Sequence, residues 1–236
     1  MKHIQRGVCK KLAYVYFGEF GDQNVRVALM KCGQGPAEAL IAVKNAAEML
    51  YPKVVLFVGI CASMKPGKAK LGDVIVSAKL ATYDDKKVMA DGTVEYRGSK
   101  PDVSTSVKVH HDAVMLSGSD LVNNRARREE LADYFQDALG LEMEGAGLYA
   151  AARDLGIEWA VVKAVSHFAD GSNEETEHWQ PFASAMAASV VYSMFKYSVV
   201  LEDWHHYKPS DVGAIPTTSR NDTKTGQPGS VKYHYE

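Results

Sequence analysis

Leu141-Glu142-Met143-Glu144-Gly145-Ala146-Gly147-Leu148 is the stretch on which the reading of the fold turns, because it sets two carboxylates and a thioether at the start of a predicted helix. Acidic side chains complement the positive end of a helix dipole. Leu148, Ala151, Ala152 and Leu155 then repeat at helical spacing, and Gly156 suits a left-handed C-terminal stop. Downstream, Trp159-Ala160-Val161-Val162-Lys163-Ala164-Val165 reads as a strand, ending in the polar switch Ser166-His167-Phe168-Ala169-Asp170-Gly171. In α/β sheets, ligands gather at the C-terminal ends of strands.

The pattern continues upstream. Val54 to Val58 is an unbroken apolar run of strand length, which fits a sheet covered on both faces, with Val74 to Ala78 expected as its neighbour. Gly33-Gln34-Gly35-Pro36 opens a helix in which Ala37, Leu40, Ile41, Lys44 and Ala47 are expected along one face. Leu12 to Phe17 and Val25 to Met30 flank a Gly21-Asp22 turn and read as a hairpin. Met115 to Gly118 is predicted to end a further strand, Arg125 to Phe135 to form an amphipathic helix, and Phe182, Met186, Ser189, Val190, Ser193 and Met194 to line a long one. Tyr83 to Val107 is polar and turn-rich around Asp91-Gly92, and reads as a solvated excursion.

The 236 residues are 46% hydrophobic and 24% charged, with a formal net charge of −2. That balance fits one domain and calls for neither a nucleic acid polymer nor a membrane. No apolar run approaches the ~20 residues of a spanning helix, and the basic first residues lead into no apolar signal core. The cytoplasm is the expected compartment. Cys9, Cys32 and Cys61 are widely spaced, outside any C-x-x-C pattern, and read as reduced thiols. No metal or cofactor is expected: His110-His111 and His205-His206 have no third ligand at a useful spacing and read as surface residues.

Glu142-Met143-Glu144-Gly145 followed by a strand ending in Ser-x-x-Ala-Asp resembles the nucleoside phosphorylase and nucleosidase superfamily. Phe57 to Ser63 is similar to that family's glycine-rich strand end, Leu71 to Ser77 to its next strand, and Trp179-Gln180-Pro181-Phe182 to the start of its closing helix. The resemblance covers roughly residues 12 to 207. It implies a mixed, mainly central β-sheet flanked by helices, a three-layer α/β/α single domain over 1–207, and association into homo-oligomers. Lys208 to Glu236, with almost no apolar periodicity, is expected as a disordered tail.

The implied chemistry is cleavage of an N-glycosidic bond in a purine nucleoside or nucleotide. Breaking that bond builds positive charge on the sugar and negative charge on the leaving base. A carboxylate beside the ribose favours the first, and a proton donor at the base relieves the second. By resemblance, Glu144 takes the ribose hydroxyls, Met143 packs on the sugar, His167 faces the base and Phe168 walls its pocket. Glu142, Gly59, Ile60, Cys61 and Ser63 complete the expected substrate-binding set. Asp170 is expected to cap the next segment or hold the His167 loop.

Two departures from the family stand out. His167 replaces an Asp that protonates or hydrogen-bonds the base; an imidazole with a pKa of about 6.5 is able to donate near neutrality. The chain also reads as starting at the hairpin that follows the family's first strand, so the sheet is expected to lack an inner strand, and the water-activating group has no assigned residue. Both departures keep open a catalytically weakened nucleoside-binding or assembly module.

Hydrolysis is expected over phosphorolysis. Val54 to Gly59 carries no arginine, and Ile60 and Cys61 carry no hydroxyl, so Ser63 is the one candidate phosphate contact; the alternative for Ser63 is a turn serine bonding its own backbone. Arg125, Arg127 and Arg128 read as a solvated face balanced by Glu129 and Glu130, with a grip on nucleotide phosphates, as in an ATP nucleosidase, as the alternative.

Overall fold

The computed structural model describes residues 1–21, 23–101, 113–197, 201–202 and 205–208. His110-His111 and nearly all of the expected tail fall outside them. In chain order the strands and helices are β1 (Lys2–Cys9), β2 (Ala13–Phe20), β3 (Val25–Met30), α1 (Pro36–Leu50), β4 (Val54–Ser63), β5 (Val74–Val76), β6 (Lys79–Thr82), β7 (Lys86–Val88) and β8 (Val94–Tyr96). There follow β9 (Val114–Ser117), α2 (Arg125–Tyr134), β10 (Ala138–Glu142), α3 (Gly145–Leu155), β11 (Glu158–His167), α4 (Asn173–Thr176) and α5 (Gln180–Phe195).

Six strands form the main sheet in the order β5-β11-β4-β10-β9-β6. It is mixed: β4 runs parallel to β11 and antiparallel to β10, while β9 is parallel to both β10 and β6. Strand β11 is buried along nearly its whole length, whereas the Val54–Val58 run of β4, expected to be covered on both faces, is only half-buried and Val58 is exposed. On one face, Val43 of α1 and Leu148, Ala151 and Ala152 of α3 pack on Cys61, Val161 and Val165. On the other, Ala183 and Ala187 of α5 meet Val76, Val162 and Ala164, and Leu131 of α2 meets Leu116 and Leu141. The three-layer α/β/α arrangement is the expected one.

Several local expectations are corrected. Val74–Val76 pairs with β11, not with β4, so β11 separates the two strands expected to be neighbours. Glu142 closes a strand rather than opening a helix, because Ala138–Glu142 pairs with both β9 and β4. The buried stripe of α1 is Ala39, Val43, Ala46 and Ala47, whereas Ile41 is exposed; small residues win that face because α3 approaches closely. A Cβ on Gly147 would lie 1.9 Å from the Pro36 carbonyl oxygen. Phe182 is likewise exposed, and the small Ala183 and Ala187 take the buried face of α5. Tyr83, before the small β7–β8 hairpin, and Tyr96, within β8, are core residues, so the described part of this segment is anchored as well as solvated; residues 102–107 lie outside the described residues.

The predicted N-terminal hairpin gains a third strand. Lys2–Cys9 pairs antiparallel with β2, giving a separate β1-β2-β3 sheet. Its apolar residues are too few and too exposed to mark it in the sequence. Leu12 and Val15 seat this sheet on Ala46 and Leu50 of α1. Among the described residues, no strand before β4 enters the main sheet.

Candidate active site

Glu142, at the end of β10, folds its carboxylate back over the start of α3. It accepts from the Glu144 amide at 2.9 Å and from the Gly145 amide at 2.9 and 3.0 Å. The Ser117 hydroxyl oxygen, at the end of β9, accepts from the Ala146 amide at 2.8 Å. These are the donors that a helix leaves without intrahelical partners, and a carboxylate there is doubly favoured, by hydrogen bonding and by the dipole. The two carboxylates of the opening motif thus part company: Glu142 turns inward, and Glu144, at the helix cap, keeps 16% of its side-chain surface exposed.

Between them stands Lys163, a single charge in an otherwise apolar strand, to which the sequence pattern assigns no role. Its Nζ lies 2.7 Å from a Glu144 carboxylate oxygen and 3.3 Å from Glu142. Lys163 sits on β11 and the two acids follow from β10, so its stem must cross β4. It does so over Gly59, its register partner, where an added Cβ would come within 3.7 Å of Lys163 Cδ and Nζ. Burial by itself would lower the ammonium pKa, but Glu142 and Glu144 outweigh it and raise it, so Lys163 is held protonated. A lysine in a strand buried on both faces needs such a partner, and that was the signal available in the sequence.

The other Glu144 oxygen accepts from the Gly35 amide at 3.3 Å, tying the carboxylate to the loop before α1. Cys32 belongs to the same loop. Its thiol is pushed up by burial and then by Glu144, against the pull of Lys163. Burial pushes the Cys61 thiol up to about 12, so it too stays uncharged at neutral pH.

His167 closes β11. Leu141 and His167 both pair with Ala62, from opposite sides of β4. At normal strand spacing, their backbones are therefore about 10 Å apart. The register slips between Val165 and His167, an irregularity of the kind that re-aims side chains beside functional sites. His167 Nδ1 lies 2.8 Å from Ser166 Oγ. Burial lowers the imidazole pKa, with Asp170 opposing.

The loop beyond is pinned. Arg128 donates to the Phe168 carbonyl at 2.8 Å and lies 3.6 Å from Asp170, whose carboxylate accepts from the Ser172 hydroxyl and amide. Asn123 accepts from the Gly171 amide at 3.0 Å. Ala169, between these anchors, holds a left-handed φ of 53°, a conformation that a non-glycine residue keeps only when its surroundings enforce it. Asp170 thus ties the loop to Ser172 and Arg128, the loop-holding alternative, while the residue at the α4 cap is Ser172; Phe168 is half-buried beside His167.

Of the remaining expected residues, Met143 is half-buried beside Glu144, and Gly59 and Cys61 lie on the Lys163 side of β4. Ile60 packs toward α5 on the opposite face. Ser63 closes β4 instead of sitting in a turn, and its hydroxyl donates to the Ala69 carbonyl at 2.7 Å and not to its own backbone. Arg125 pairs with Glu129, and Arg127 with Glu130 and Asp120. Arg128 departs from the solvated-face reading, being buried against the His167 loop. His205 and His206 are exposed, and His206 bonds the Tyr51 carbonyl.

A sequence profile described as the phosphorylase superfamily matches residues 10–195. The chain belongs to the phosphorylase superfamily. Among curated superfamily members, it is 31% identical over 216 residues to a death domain-containing ATP nucleosidase of Amphimedon queenslandica, an alignment covering 75% of this chain and 40% of that one. This chain thus spans well under half of that relative. It is 26% identical over 209 residues to a 5'-methylthioadenosine/S-adenosylhomocysteine nucleosidase of Maridesulfovibrio salexigens, covering 76% of this chain and 87% of the other. The fold matches the Neisseria meningitidis 5'-methylthioadenosine/S-adenosylhomocysteine nucleosidase in complex with methylthio-immucillin-A, at a TM-score of 0.70 and 20% identity over 83% and 90% of the two chains. The Helicobacter pylori futalosine hydrolase superposes at 0.66, with 19% identity over 80% and 86%. The two curated relatives are named as nucleosidases.

Proposed function

We propose that this domain hydrolyses the N-glycosidic bond of a purine nucleoside or nucleotide. Glu144 accepts from the ribose hydroxyls and offsets the charge that develops on the sugar. Met143 packs against the pentose, His167 donates to the departing base, and Phe168 flanks it. Glu142 acts one step back, by fixing the turn that carries Glu144 and by helping to keep Lys163 charged. The observation that carries this reading is the 2.7 Å bond from Lys163 to Glu144, because Lys163 lies on the same strand, β11, that ends in His167 and so joins the sugar-side carboxylate to the base-side ring through one element.

The electrostatics favour water over phosphate as the acceptor. Lys163 stands between two carboxylates, so the cluster carries a net charge of −1 in its ionised state, which disfavours an incoming phosphate anion. Ser63, the candidate phosphate contact, has its hydroxyl hydrogen committed to Ala69. The bond partners of Arg125, Arg127 and Arg128 also argue against a triphosphate grip by those three residues, although the Amphimedon relative's name makes ATP a substrate to test.

The test is chromatography of free base after incubation with adenosine, other purine nucleosides and ATP, with and without phosphate. Phosphate-independent release, cut about 100-fold or more in Glu144→Gln, is the expected result. Binding of nucleosides without release would instead select a non-catalytic module. Phosphate-dependent release would overturn the hydrolytic assignment.

A further inference from the structure

Resting on the reading of His167 as the base-side donor, we propose that Ser166 is a positioning residue that sets the tautomer of the His167 ring. Its hydroxyl donates to Nδ1, which leaves the ring proton on Nε2 as a fixed donor for an acceptor atom of the base.

The argument is one of accounting for hydrogens. Ser166 is fully buried, with no exposed surface, and its Oγ lies 2.8 Å from His167 Nδ1. Among the described residues, that nitrogen is the one hydrogen-bond partner of this hydroxyl. A hydroxyl brings one hydrogen that needs an acceptor, and a buried donor without one costs the full desolvation of the group. If Nδ1 carried the proton, the ring would donate to Ser166 Oγ, and the hydroxyl hydrogen would be left with no acceptor. Nδ1 is therefore the acceptor, and the hydrogen bond made by one ring nitrogen fixes the state of the other.

Adjacent residues of a regular strand point to opposite faces. Ser166 and His167 meet because the register slips at this point: Val165 pairs with Cys61, while His167 pairs with Ala62. The same reasoning explains why a histidine is workable where the family has Asp. A carboxylic acid must hold a proton to donate, whereas a neutral imidazole in the Nε2–H form is already a donor. With the tautomer fixed, the preferred substrates present an unprotonated ring nitrogen to that donor, and an analogue with carbon at the same place loses the bond.

Long-range nitrogen–proton NMR spectra of the full chain labelled at histidine read the tautomer directly. The His167 signals are identified by their loss in His167→Gln. At mildly alkaline pH, the expected spectrum has Nε2 protonated and Nδ1 bare, shifting to a tautomer mixture in Ser166→Ala. In the same variant, kcat for base release falls about 5- to 10-fold, as for one lost hydrogen bond, with KM nearly unchanged. A proton on Nδ1 in the unmodified chain, or an unaltered tautomer in Ser166→Ala, overturns the proposal. If no nucleoside is cleaved, the catalytic reading fails, yet the spectra still decide what Ser166 does to the ring.

Discussion

Lys163 Nζ and Glu144 Oε2 are 2.7 Å apart, with strand β4 running between the elements that carry them. This one contact links the packing of the sheet to the chemistry at its edge. The ammonium offsets part of the charge of a buried pair of acids, and in doing so it holds the more exposed acid at a set place. The Gly35 amide, 3.3 Å from the other oxygen, completes the hold.

Removing the cation should therefore damage stability and activity together. Lys163→Met keeps the length of the stem but leaves Glu142 and Glu144 facing each other without a counter-charge. The cost of breaking a buried pair by removing one partner is about 3–5 kcal/mol. Urea unfolding of the variant is expected to show a loss of that order, and Lys163→Arg a smaller one. A Lys163→Met protein with an unchanged midpoint would mean that the cluster contributes little to the fold.

Gly147→Ala tests how the two helices position the same carboxylate. The new methyl would sit 1.9 Å from the Pro36 carbonyl oxygen, a backbone atom that moves only if the start of α1 moves. Overpacking of this kind costs about 1–3 kcal/mol. Because Pro36 follows Gly35, the displacement also pulls the Gly35 amide from Glu144. The expected outcome is a lower melting temperature together with a raised KM for the nucleoside. A stability loss with unaltered KM would separate the helix contact from the site.

How much of this was legible beforehand depended on whether the signal was local. The α3 helix and its Gly156 stop were, since periodicity and a left-handed terminal residue, here at φ 65°, are written in adjacent letters. The placing of β5 was not: its partner β11 lies far along the chain, and an apolar run does not name its neighbour. Glu144 could be singled out from its motif, but the inward turn of Glu142 depends on where β10 ends, and that strand is too short and too glycine-broken to announce itself. Lys163 was legible in principle. A single charge in Trp159 to Val165 is an anomaly that demands a partner, though nothing local says which acid answers it. Arg128 reads as surface in the sequence because its neighbours Glu129 and Glu130 are charged, yet its partners lie about 40 positions on, as its bond to Phe168 shows.

Arg128→Met offers a view of the loop alone. The guanidinium bonds the Phe168 carbonyl and approaches Asp170, bracketing Ala169 in its left-handed conformation. Loss of a charged hydrogen bond is worth about 1.5–3 kcal/mol, part of which appears as loop freedom rather than global unfolding. Hydrogen exchange of residues 167–172 should accelerate, and base release should slow by about 10-fold through misplacement of His167. Normal exchange in this loop would show that the Asn123 and Ser172 contacts suffice without the arginine.

The acid side of the pH profile follows from the burial of His167. Burial lowers its pKa from 6.5, and Asp170 works in the opposite direction without reversing it. In the window between the ordinary value and the lower folded one, the unfolded chain therefore binds more protons at this residue than the native protein does. Stability contributed by the neutral ring is fully present above 6.5 and is lost as pH falls through the folded value. The neutral ring is also the form proposed to donate through Nε2, so the acid limb of kcat/KM should lie below 6.5. Asp170→Asn keeps an oxygen for Ser172 but removes the charge that raises the imidazole, and it should move that limb lower still. An upward shift in Asp170→Asn, or an acid limb that survives unchanged in His167→Gln, would detach the pH dependence from this residue.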